Sequence, residues 1–547
     1  MGGFLSDLKP EQGLEILNAS CGPVRGNVYR HDSKIVNGYL GIPYAKAPIN
    51  ELRFQKPLPA DIWRETRDCY KYGPGCPQSG DKISTLLPPN KFEFAEDNCL
   101  TVNVLTPSWK SAEFPKGFPV MVYLHGGGFE IGFSSNFDDY SLSGTLPLKE
   151  VIVVTINYRI GPLGFFTTGD AVASGNYGLW DQTMALKWVQ KHIGSFGGDP
   201  NCVTVFGSSA GAMSAGYLAL SPHSNKLFHR YMEMSGSPWC DFAIRPKTLE
   251  AGICRIFAKH HGFTGTDSQS LLTWYKSQDV SKFLETTGVE KNASGLGHFG
   301  PVFDGDFFPK TFDQLLREAP KIEVMSTVNE FEALGFLAMY SSRKSDLEVV
   351  ASAFGPDIVK NPEDVQQRIL NFYMKDVDQS DKKAVEKRLI ELLSDSWFNF
   401  PALETVRQAS KAGNTAYLAS FDYYNMDSKD PYADWFPFKA ANHNSELKYM
   451  LGEGMGRFDP VGSEFEMIDL MGTLVTNFAK YGNPNGKCGP ELWQKYTLDK
   501  PLSYYKIDLP KCEMRDDYQK GRMWIYDDIN ESGEKYQGIL YSIGEKF

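Results

Sequence analysis

The sequence lacks three features that would assign it to other classes of protein. Lys and Arg number 56 against 67 Asp and Glu, a formal net charge of −11. An acidic chain is poorly suited to bind a phosphate backbone, so nucleic-acid binding is excluded. No run approaches the roughly 20 apolar residues that a membrane-spanning helix needs. The nine cysteines are scattered over 547 residues, unlike the dense disulfide frameworks of small secreted domains.

The N-terminal residues MGGFLSDLKPEQG have neither the basic region nor the apolar core of a secretory signal peptide. Together with the scattered cysteines, this predicts a cytoplasmic protein. The same segment fits the pattern M-G-x-x-x-[ST] for N-myristoylation at Gly2, although a pattern with so few fixed positions also occurs by chance. A single myristoyl chain on Gly2 would give only a weak association with a membrane.

Apolar, β-branched runs alternate with longer helical patterns along the chain. The clearest predicted strands are Pro119–Leu124, Val151–Tyr158 and Cys202–Phe206. A helix is predicted over 181–193, and polar helical regions at 247–289 and 347–393 are predicted to be cap insertions. This alternation is typical of parallel βαβ construction and predicts an α/β fold with a large, mostly parallel central sheet. Without repeats or linkers, residues 1–547 are predicted to form a single domain.

A candidate nucleophile lies in the segment GSSAG (207–211), a G-x-S-x-G motif between a strand and a helix of small residues. In that context the motif is typical of a nucleophile elbow, a turn so sharp that it strains the serine backbone and exposes its Oγ. Glycines at 207 and 211 would let the strand and the helix pass closely. We therefore predict that Ser209 is the nucleophile. Ser208 is the neighbouring alternative, but it stands at an x position of the motif.

A second motif, HGGGF (125–129), follows the strand PVMVYL. Successive glycines supply backbone N–H groups that can converge on one point. Together with the N–H of Ala210, the residue after the nucleophile, they would bind the oxyanion of a tetrahedral intermediate. A glycine-rich run can also form an anion-binding nest, but a phosphate loop would need a following G-K-[ST], which is absent.

The base and the acid are expected after the nucleophile, in the chain order serine, acid, histidine. Beyond His298 the sequence has only one histidine, His443, which is therefore the candidate base. The candidate acids are Glu330, Glu332, Asp304 and Asp306. The two glutamates end a strand-like run, whereas the two aspartates flank a glycine, which is more typical of a turn. The acid would orient the histidine and stabilise its cationic form during attack.

Long stretches of the chain resemble the type-B carboxylesterases, the carboxylesterase/cholinesterase family of the α/β-hydrolase superfamily. The segment FGGDPNCVTVFGSSAG (196–211) matches the family's serine signature. Further matching segments are GIPYAKAPINELRF (41–54), AEDNCLTVNVLTP (95–107), VYLHGGGF (122–129), INYRIGPLGF (156–165), GNYGLWDQTMALKWVQ (175–190), MSGS (234–237), NHNSEL (442–447) and TNFAKYGNPN (476–485). So many ordered motifs over nearly the whole chain make chance agreement implausible.

The resemblance implies the α/β-hydrolase fold and a role for each candidate. It assigns Ser209 as nucleophile and His443 as general base. The family's acid is the glutamate of a D-E-G stretch, which falls on Glu332. Here Ala333 replaces the glycine of that stretch, so Glu330 stays an alternative.

The resemblance also implies structural features around the site. The oxyanion donors would be Gly127, Gly128 and Ala210. The family's ion pairs would fall on Arg53 with Glu96 and on Arg159 with Asp181. Its first disulfide would join Cys76 to Cys99, although a cytoplasmic location would leave these thiols reduced. Its second disulfide has no counterpart, because Phe263 and Trp274 fall near the expected positions.

Two departures from the family pattern bear on function. The family usually reads G-E-S-A-G, and Ser208 stands in place of that glutamate, so the hydrogen-bond network behind His443 must differ. Cholinesterases also carry a choline-binding tryptophan shortly before the E-D-C segment. This sequence has Leu87-Pro88-Pro89 there, without a platform for a cation–π contact. Acetylcholine is therefore a poor candidate substrate.

These residues predict a carboxylic ester hydrolase that acts on small to medium apolar esters through an acyl-enzyme. Its partner would be a small-molecule ester, and the mechanism needs neither a metal nor a cofactor. One alternative is a non-catalytic adhesion or binding protein of the same fold. Another is a slow esterase that sequesters apolar or organophosphorus compounds. The oligomeric state and the natural substrate do not follow from these motifs.

Overall fold

The computed structural model describes residues 9–79, 93–285, 298–336, 346–351, 353–355, 359–428, 436–452 and 458–533. Gly2 and Leu87–Pro89, which the sequence singled out, lie outside these ranges. The strands are β1 (Glu11–Gln12), β2 (Leu17–Ala19), β3 (Gly22–Arg25), β4 (Asn27–His31), β5 (Lys34–Pro43), β6 (Arg67–Asp68), β7 (Thr101–Pro107), β8 (Phe118–Leu124), β9 (Ile152–Ile156), β10 (Gly198–Ser208), β11 (Arg230–Met234), β12 (Arg245–Pro246), β13 (Val302–Phe303), β14 (Glu323–Asn329), β15 (Ala416–Phe421), β16 (Tyr504–Ile507) and β17 (Glu513–Arg515).

The α-helices lie between and after these strands. They are α1 (Asp139–Ser143), α2 (Gly161–Phe165), α3 (Tyr177–His192), α4 (Ala210–Leu220), α5 (Lys247–His260), α6 (Ser268–Ser277), α7 (Phe312–Glu318), α8 (Asp346–Ala351), α9 (Pro362–Met374), α10 (Lys382–Ser394), α11 (Phe400–Lys411), α12 (Lys448–Leu451), α13 (Glu464–Tyr481) and α14 (Trp524–Glu531). A π-helical turn, Asp395–Asn399, joins α10 to α11. In the described ranges, none of the helices combines the length and the apolar character that crossing a bilayer requires.

A twelve-stranded sheet forms the centre of the protein, in the order β1-β4-β5-β7-β9-β8-β10-β11-β14-β15-β16-β17. From β9 to β16 in that order every neighbouring pair is parallel. The pairs at both edges are antiparallel. The predicted α/β class, with a large and mostly parallel sheet flanked by helices, is confirmed.

Alternate side chains of β8 pack into different hydrophobic clusters. Val120, Val122 and Leu124 belong to one cluster, and Met121 and Tyr123 belong to the other. Because successive side chains of a strand point to opposite faces, the two clusters lie on the two faces of the sheet. A strand buried on both faces needs a continuous apolar run, which is why its sequence pattern is so clear.

The predicted elements are present with shifted ends. Strand β10 begins at Gly198, four residues before the predicted start at 202. Gly198 pairs with Phe118, and the pairing register shifts between Gly198 and Val203. No apolar run indicates this extension. Helix α3 begins at Tyr177 rather than at 181, because its first turn is itself buried. The two polar regions contain α5, α6 and α8 to α10, as predicted. The single domain over 1–547 stays a prediction.

The features implied by the family resemblance around the sheet also have counterparts in the structure. The ion pairs are Arg53–Glu96, at 2.5 Å, and Arg159–Asp181, at 2.7 Å. Cys76 and Cys99 are joined by a disulfide. Where the second disulfide would lie, the rings of Phe263 and Trp274 are in contact, with centroids 5.9 Å apart. Disulfides persist in oxidising compartments, whereas cytoplasmic thiols are kept reduced, so the bridge does not agree with a cytoplasmic location. The location stays a prediction.

Candidate active site

Ser209 lies at the sharp turn between β10 and α4. Its backbone has φ 55° and ψ −126°, a conformation that costs a residue with a side chain about 1–3 kcal/mol. Ser208 and Ala210 on either side are 2% and 1% exposed, whereas Ser209 itself is partly exposed. Strain of this kind persists where the surrounding structure fixes the turn. The turn therefore leaves one hydroxyl accessible at the end of a buried strand.

Two glycines make this turn sterically possible. A Cβ at Gly207 would lie 2.5 Å from the backbone carbonyl group of Gly211. A Cβ at Gly211 would overlap the carbonyl oxygen of Leu124 at the end of β8. Larger residues at 207 or 211 would therefore push α4 away from the sheet, as the sequence motif indicates.

The loop 125–129 passes directly beside Ser209. A Cβ at Gly126 would lie 3.0 Å from the Ser209 Cβ. Gly127 and Gly128 have φ angles of 108° and 62°, in the region that favours glycine. Ala210 is the first residue of α4, and an N–H in the first turn of a helix has no partner within it. Backbone donors from two separate segments thus lie close to the Ser209 side chain.

His125, at the start of the loop, has a structural role. Its ring stacks on that of Tyr158, with centroids 4.2 Å apart, and the Tyr158 hydroxyl donates to its carbonyl oxygen at 2.7 Å. Burial lowers the pKa of His125 to about 4, so the ring is neutral at physiological pH. The imidazole therefore packs the base of the glycine loop.

His443 and Glu332 are brought together from positions 111 residues apart. The His443 Nδ1 lies 2.7 Å from Glu332 Oε2. The Glu332 side chain is fully buried, and that of His443 is 10% exposed. The other ring nitrogen, Nε2, is buried and has no hydrogen-bond partner among the residues that the structure describes. One nitrogen of the ring is thus fixed by a carboxylate, while the second is available to receive a proton.

The second oxygen of Glu332 is held by groups that the sequence analysis missed. Glu332 Oε1 accepts a hydrogen bond from the Ser235 hydroxyl at 2.6 Å and another from the Asn329 backbone N–H at 2.7 Å. The side-chain amide of Asn329 donates to Glu446 Oε2 at 2.7 Å. Both Ser235 and Glu446 lie in motifs already noted, MSGS and NHNSEL, but neither motif indicates that they converge on the acid.

Glu446 is a second buried carboxyl group behind His443. It is 1% exposed, and its Oε1 has no hydrogen-bond partner within the described ranges. Burial, followed by the nearby charge of Glu332, raises the pKa of Glu446 to about 7. Ser208, which replaces the family's glutamate, lies 3.4 Å from the Tyr123 hydroxyl through its own Oγ. Of positions 208 and 446, only 446 carries an acidic side chain near the histidine.

The other candidate acids lie in different surroundings. Burial, followed by the nearby charge of Asp422, raises the pKa of Glu330, and no hydrogen bond or ion pair joins it to His443 in the described part of the chain. Asp304 accepts the backbone N–H of Asp306 in a turn, and Asp306 pairs with Lys56 at 2.7 Å. Within the described part of the chain, no group of three or more His, Cys, Asp or Glu could hold a metal ion.

The rings of two phenylalanines pack against the ring of His443. The ring centroids of Phe336 and Phe398 lie 4.9 Å and 4.8 Å from that of His443. The two phenylalanine rings are stacked, with centroids 5.8 Å apart. Phe398 belongs to the π-helical turn, a distortion that often marks functional sites and that a sequence pattern does not reveal. The two rings therefore form an apolar wall beside His443.

Comparisons with known proteins agree with this geometry. A model of the carboxylesterase family matches residues 14–525. The chain is similar to esterase cest-33 of Caenorhabditis elegans, at 51% identity over 99% of both chains. It is also similar to carboxylesterase 1C of Rattus norvegicus, at 32% identity over 86% of this chain and 85% of the relative. Cholinesterase of Mus musculus is 31% identical over 95% of this chain and 90% of its own length. The chain therefore belongs to the carboxylesterase family, has the α/β-hydrolase fold and is a carboxylic ester hydrolase.

Proposed function

We propose that this chain hydrolyses small to medium apolar esters through an acyl-enzyme, with Ser209 as nucleophile, His443 as general base and Glu332 as the orienting acid. The 2.7 Å contact between His443 Nδ1 and Glu332 Oε2 carries the proposal. It makes Nε2 the free nitrogen of the ring, which the serine–histidine–acid mechanism requires. That nitrogen is buried and unpaired among the described residues, so no described side chain competes with a serine hydroxyl for it.

In the first half of the reaction, His443 Nε2 takes the proton of Ser209 as Oγ attacks the acyl carbonyl carbon. The N–H groups of Gly127, Gly128 and Ala210 stabilise the resulting oxyanion, and the loss of one such donor typically costs about 3 kcal/mol. Collapse of this intermediate breaks the ester C–O bond, and the imidazolium gives its proton to the leaving alcohol. Water, deprotonated by the same imidazole, then attacks the acyl-enzyme and releases the acid.

The contacts of Glu332 explain how the acid performs its part. Three hydrogen bonds to Oε1, from Ser235 and from the backbone and side-chain amide of Asn329, fix the orientation of the carboxylate. Oε2 is left to accept the hydrogen bond of the histidine ring. A buried carboxylate with every partner in place stabilises the imidazolium that forms during attack, without leaving an unpaired charge in the interior.

The preference for apolar esters follows from the aromatic wall. Phe336 and Phe398 lie within 5 Å of the His443 ring, measured between centroids. Phe398 is 1% exposed and Phe336 is partly exposed, so we expect a substrate whose carbonyl reaches Ser209 to place part of its acyl or alcohol group against Phe336. Burying apolar surface there contributes about 25 cal/mol per Å², whereas a charged group would lose its hydration. Uncharged, apolar esters are therefore favoured.

Acetylcholine is not proposed as a substrate, although one relative is named a cholinesterase. The sequence has no tryptophan between Trp63 and Trp109. A quaternary ammonium group would then lack the indole ring that binds it best.

The proposal is tested by steady-state and stopped-flow hydrolysis of p-nitrophenyl esters of increasing acyl length. Wild type is compared with Ser209→Ala and with the matched control Ser208→Ala, which removes the hydroxyl one residue away. We expect a burst of p-nitrophenol from wild type and a loss of kcat of about a millionfold in Ser209→Ala. Ser208→Ala should stay within about tenfold of wild type, because among the described residues its hydroxyl hydrogen-bonds only to Tyr123.

The two alternative functions give different results in the same experiment. A sequestering slow esterase would show the burst but almost no steady-state turnover, since its acyl-enzyme persists. A non-catalytic binding protein would show no burst and no labelling of Ser209 by a fluorophosphonate probe. If Ser208→Ala were the inactive variant, the assignment of the nucleophile would be wrong.

A further inference from the structure

The glycine loop (126–128) supplies two of the proposed oxyanion donors, yet a backbone made of consecutive glycines is the most flexible kind. Glycine has more conformational freedom than any other residue, so three in succession do not define a geometry by themselves. An oxyanion hole needs its donors about 2.7–3.1 Å from the place that the oxygen will occupy. The loop must therefore be held in position by contacts from outside it.

Two contacts hold the ends of the loop. Before it, the Tyr158 hydroxyl donates to the His125 carbonyl oxygen at 2.7 Å. After it, the side-chain amide of Gln78 donates to the carbonyl of Gly132 at 2.9 Å and accepts its N–H at 2.7 Å. These bonds join neutral groups, and they lie outside the turn that carries the donors.

The turn itself is tied down through Glu130. Its side chain is largely buried, with a relative exposure of 8% for the residue. Glu130 Oε1 accepts the backbone N–H groups of His298 and Phe299, the latter at 3.1 Å, and lies 3.0 Å from His298 Nδ1. Two backbone hydrogen bonds to a single side-chain oxygen fix the position of that side chain relative to the segment it contacts. The carboxylate therefore fastens the loop to a segment 168 residues away.

The backbone of Glu130 is bonded directly to the glycine loop. The carbonyl oxygen of Gly127 accepts the N–H groups of Glu130 at 3.1 Å and of Ile131 at 3.0 Å. Between them Phe129 has a φ of 63°, and its carbonyl accepts the N–H of Gly161. A displacement of Glu130 would therefore rotate the peptide plane between Gly127 and Gly128, which carries the Gly128 donor, and would shift Gly127 with it.

We propose that Glu130 is a positioning residue for the oxyanion hole, which holds the donors of Gly127 and Gly128 on target by fastening their turn to residues 298–299. This inference rests on the proposed function of the Ser209 site. A loosened hole loses stabilisation of the transition state but binds the uncharged ester as before, so kcat falls and KM does not change.

Glu250 offers a matched control, because it is a second buried carboxyl group bonded to the same segment. It lies in α5, is fully buried, and accepts the N–H of Gly300 at 3.3 Å. Its other oxygen pairs with Arg245 at 2.9 Å. Truncating Glu250 removes a buried carboxylate from residues 298–300 while the bonds between Glu130 and the glycine loop are kept.

The experiment uses the full chain with four substitutions: E130A, E130D, E130Q and E250A. For each we would measure kcat and KM with p-nitrophenyl butyrate, and the melting temperature. We would also measure the inhibition constant of a trifluoromethyl ketone, whose adduct with a serine places an oxyanion in the hole. Labelling of wild-type Ser209 by a fluorophosphonate tests the proposed function separately.

We expect E130A to lose about 30-fold in kcat with KM within about threefold, less than the loss of a whole donor. Its ketone inhibition constant should rise by about the factor lost in kcat/KM. E130D, whose carboxylate is one methylene shorter, should lose about fivefold in kcat. E130Q keeps an acceptor oxygen and should retain kcat within about threefold, as should E250A even where its melting temperature falls.

The inference is overturned if E130A keeps kcat and raises KM, since Glu130 would then only shape the pocket. It is also overturned if E250A loses as much kcat as E130A, which would indicate general loosening. If E130A does not fold, the kcat of E130D tests the inference instead. A kcat of E130D equal to that of wild type would then contradict it. If wild type is neither active nor labelled, the proposed function falls and this inference falls with it. If wild type is active and labelled, the Glu130 variants test the inference alone.

Discussion

Glu332 and Glu330 are separated by one residue, yet they lie in opposite electrostatic surroundings. The carboxylate of Glu332 is fully buried and accepts hydrogen bonds from the His443 ring, the Ser235 hydroxyl and a backbone N–H. Glu330 lies against Asp422, and burial followed by that charge raises its pKa to about 7. Burial alone thus does not distinguish an acid suited to catalysis. The difference lies in the donors that surround it.

The backbone explains why the two side chains diverge. The N–H of Glu330 continues the ladder to β15 and bonds to Phe421 O at 3.1 Å. The N–H of Phe331 instead bonds to Ala441 O at 3.0 Å, in the segment that carries His443. The chain therefore leaves the sheet between 330 and 331. Glu330 stays at the carboxyl end of β14, whereas Glu332 turns toward the histidine.

The sharpest test of this comparison is Glu332→Gln beside Glu330→Gln. We expect Glu332→Gln to lose about 10³–10⁴-fold in kcat/KM, because an amide does not stabilise the imidazolium and favours the wrong ring tautomer. Glu330→Gln should stay within about threefold of wild type. Hydrolysis of p-nitrophenyl butyrate at pH 8 measures both. The opposite order of losses would make Glu330 the acid.

An intermediate effect is expected from Glu446, the second carboxyl group near the histidine. Its pKa is raised to about 7, first by burial and then by the charge of Glu332, so it is neutral below that pH and charged above it. In the charged form it adds to the stabilisation of the His443 imidazolium during attack. Glu446→Gln should therefore match wild type near pH 5.5 and fall about fivefold below it near pH 8.5.

The pH–rate profiles of kcat for wild type and Glu446→Gln, measured from about pH 5 to 9, check this expectation. Ser208→Ala serves as the control, because it changes a neighbouring buried residue without removing a titrating group. A ratio of wild type to Glu446→Gln that does not change with pH would contradict a role for the Glu446 charge.

The smallest effect is expected on stability, from Glu330→Gln. The folded-state pKa of Glu330, about 7, lies above its ordinary value of 4.5. Between these values the folded protein binds more protons than the unfolded chain, so stability falls as the pH rises through this window. Glu330→Gln removes the titrating group, and its melting temperature should decline less than that of wild type between about pH 5 and pH 8, by about 1 °C. Equal declines in differential scanning calorimetry would show that Glu330 does not contribute to the pH dependence.

The turn at Ser209 and the glycine loop beside it could be predicted from the sequence, because their geometry depends on residues close together in the chain. A G-x-S-x-G between a strand and a helix predicts a tight turn, since glycine alone fits where β8, β10 and α4 meet. The three glycines after β8 likewise predict a loop of exposed donors. The candidate acid could not be chosen from the sequence, because Glu330 and Glu332 both fit the expected spacing. What distinguishes them is a contact with a residue 111 positions away.

Most of the parts that the sequence analysis missed are long-range contacts. Glu130 reaches His298 across 168 positions, and Asn329 reaches Glu446 across 117. Phe398 faces His443 through a π-helical turn. No periodicity marks a residue of this kind, since its neighbours in the chain determine only its secondary structure.

The sequence by itself determined the α/β class, the parallel centre of the sheet and the turn at Ser209. These depend on side-chain alternation and on steric conflicts between residues close in the chain. The tertiary structure decided which carboxylate contacts the histidine, which rings wall it and what fastens the glycine loop. Those choices depend on packing between segments far apart in the chain, where burial makes each missing hydrogen bond costly and so selects one arrangement of partners.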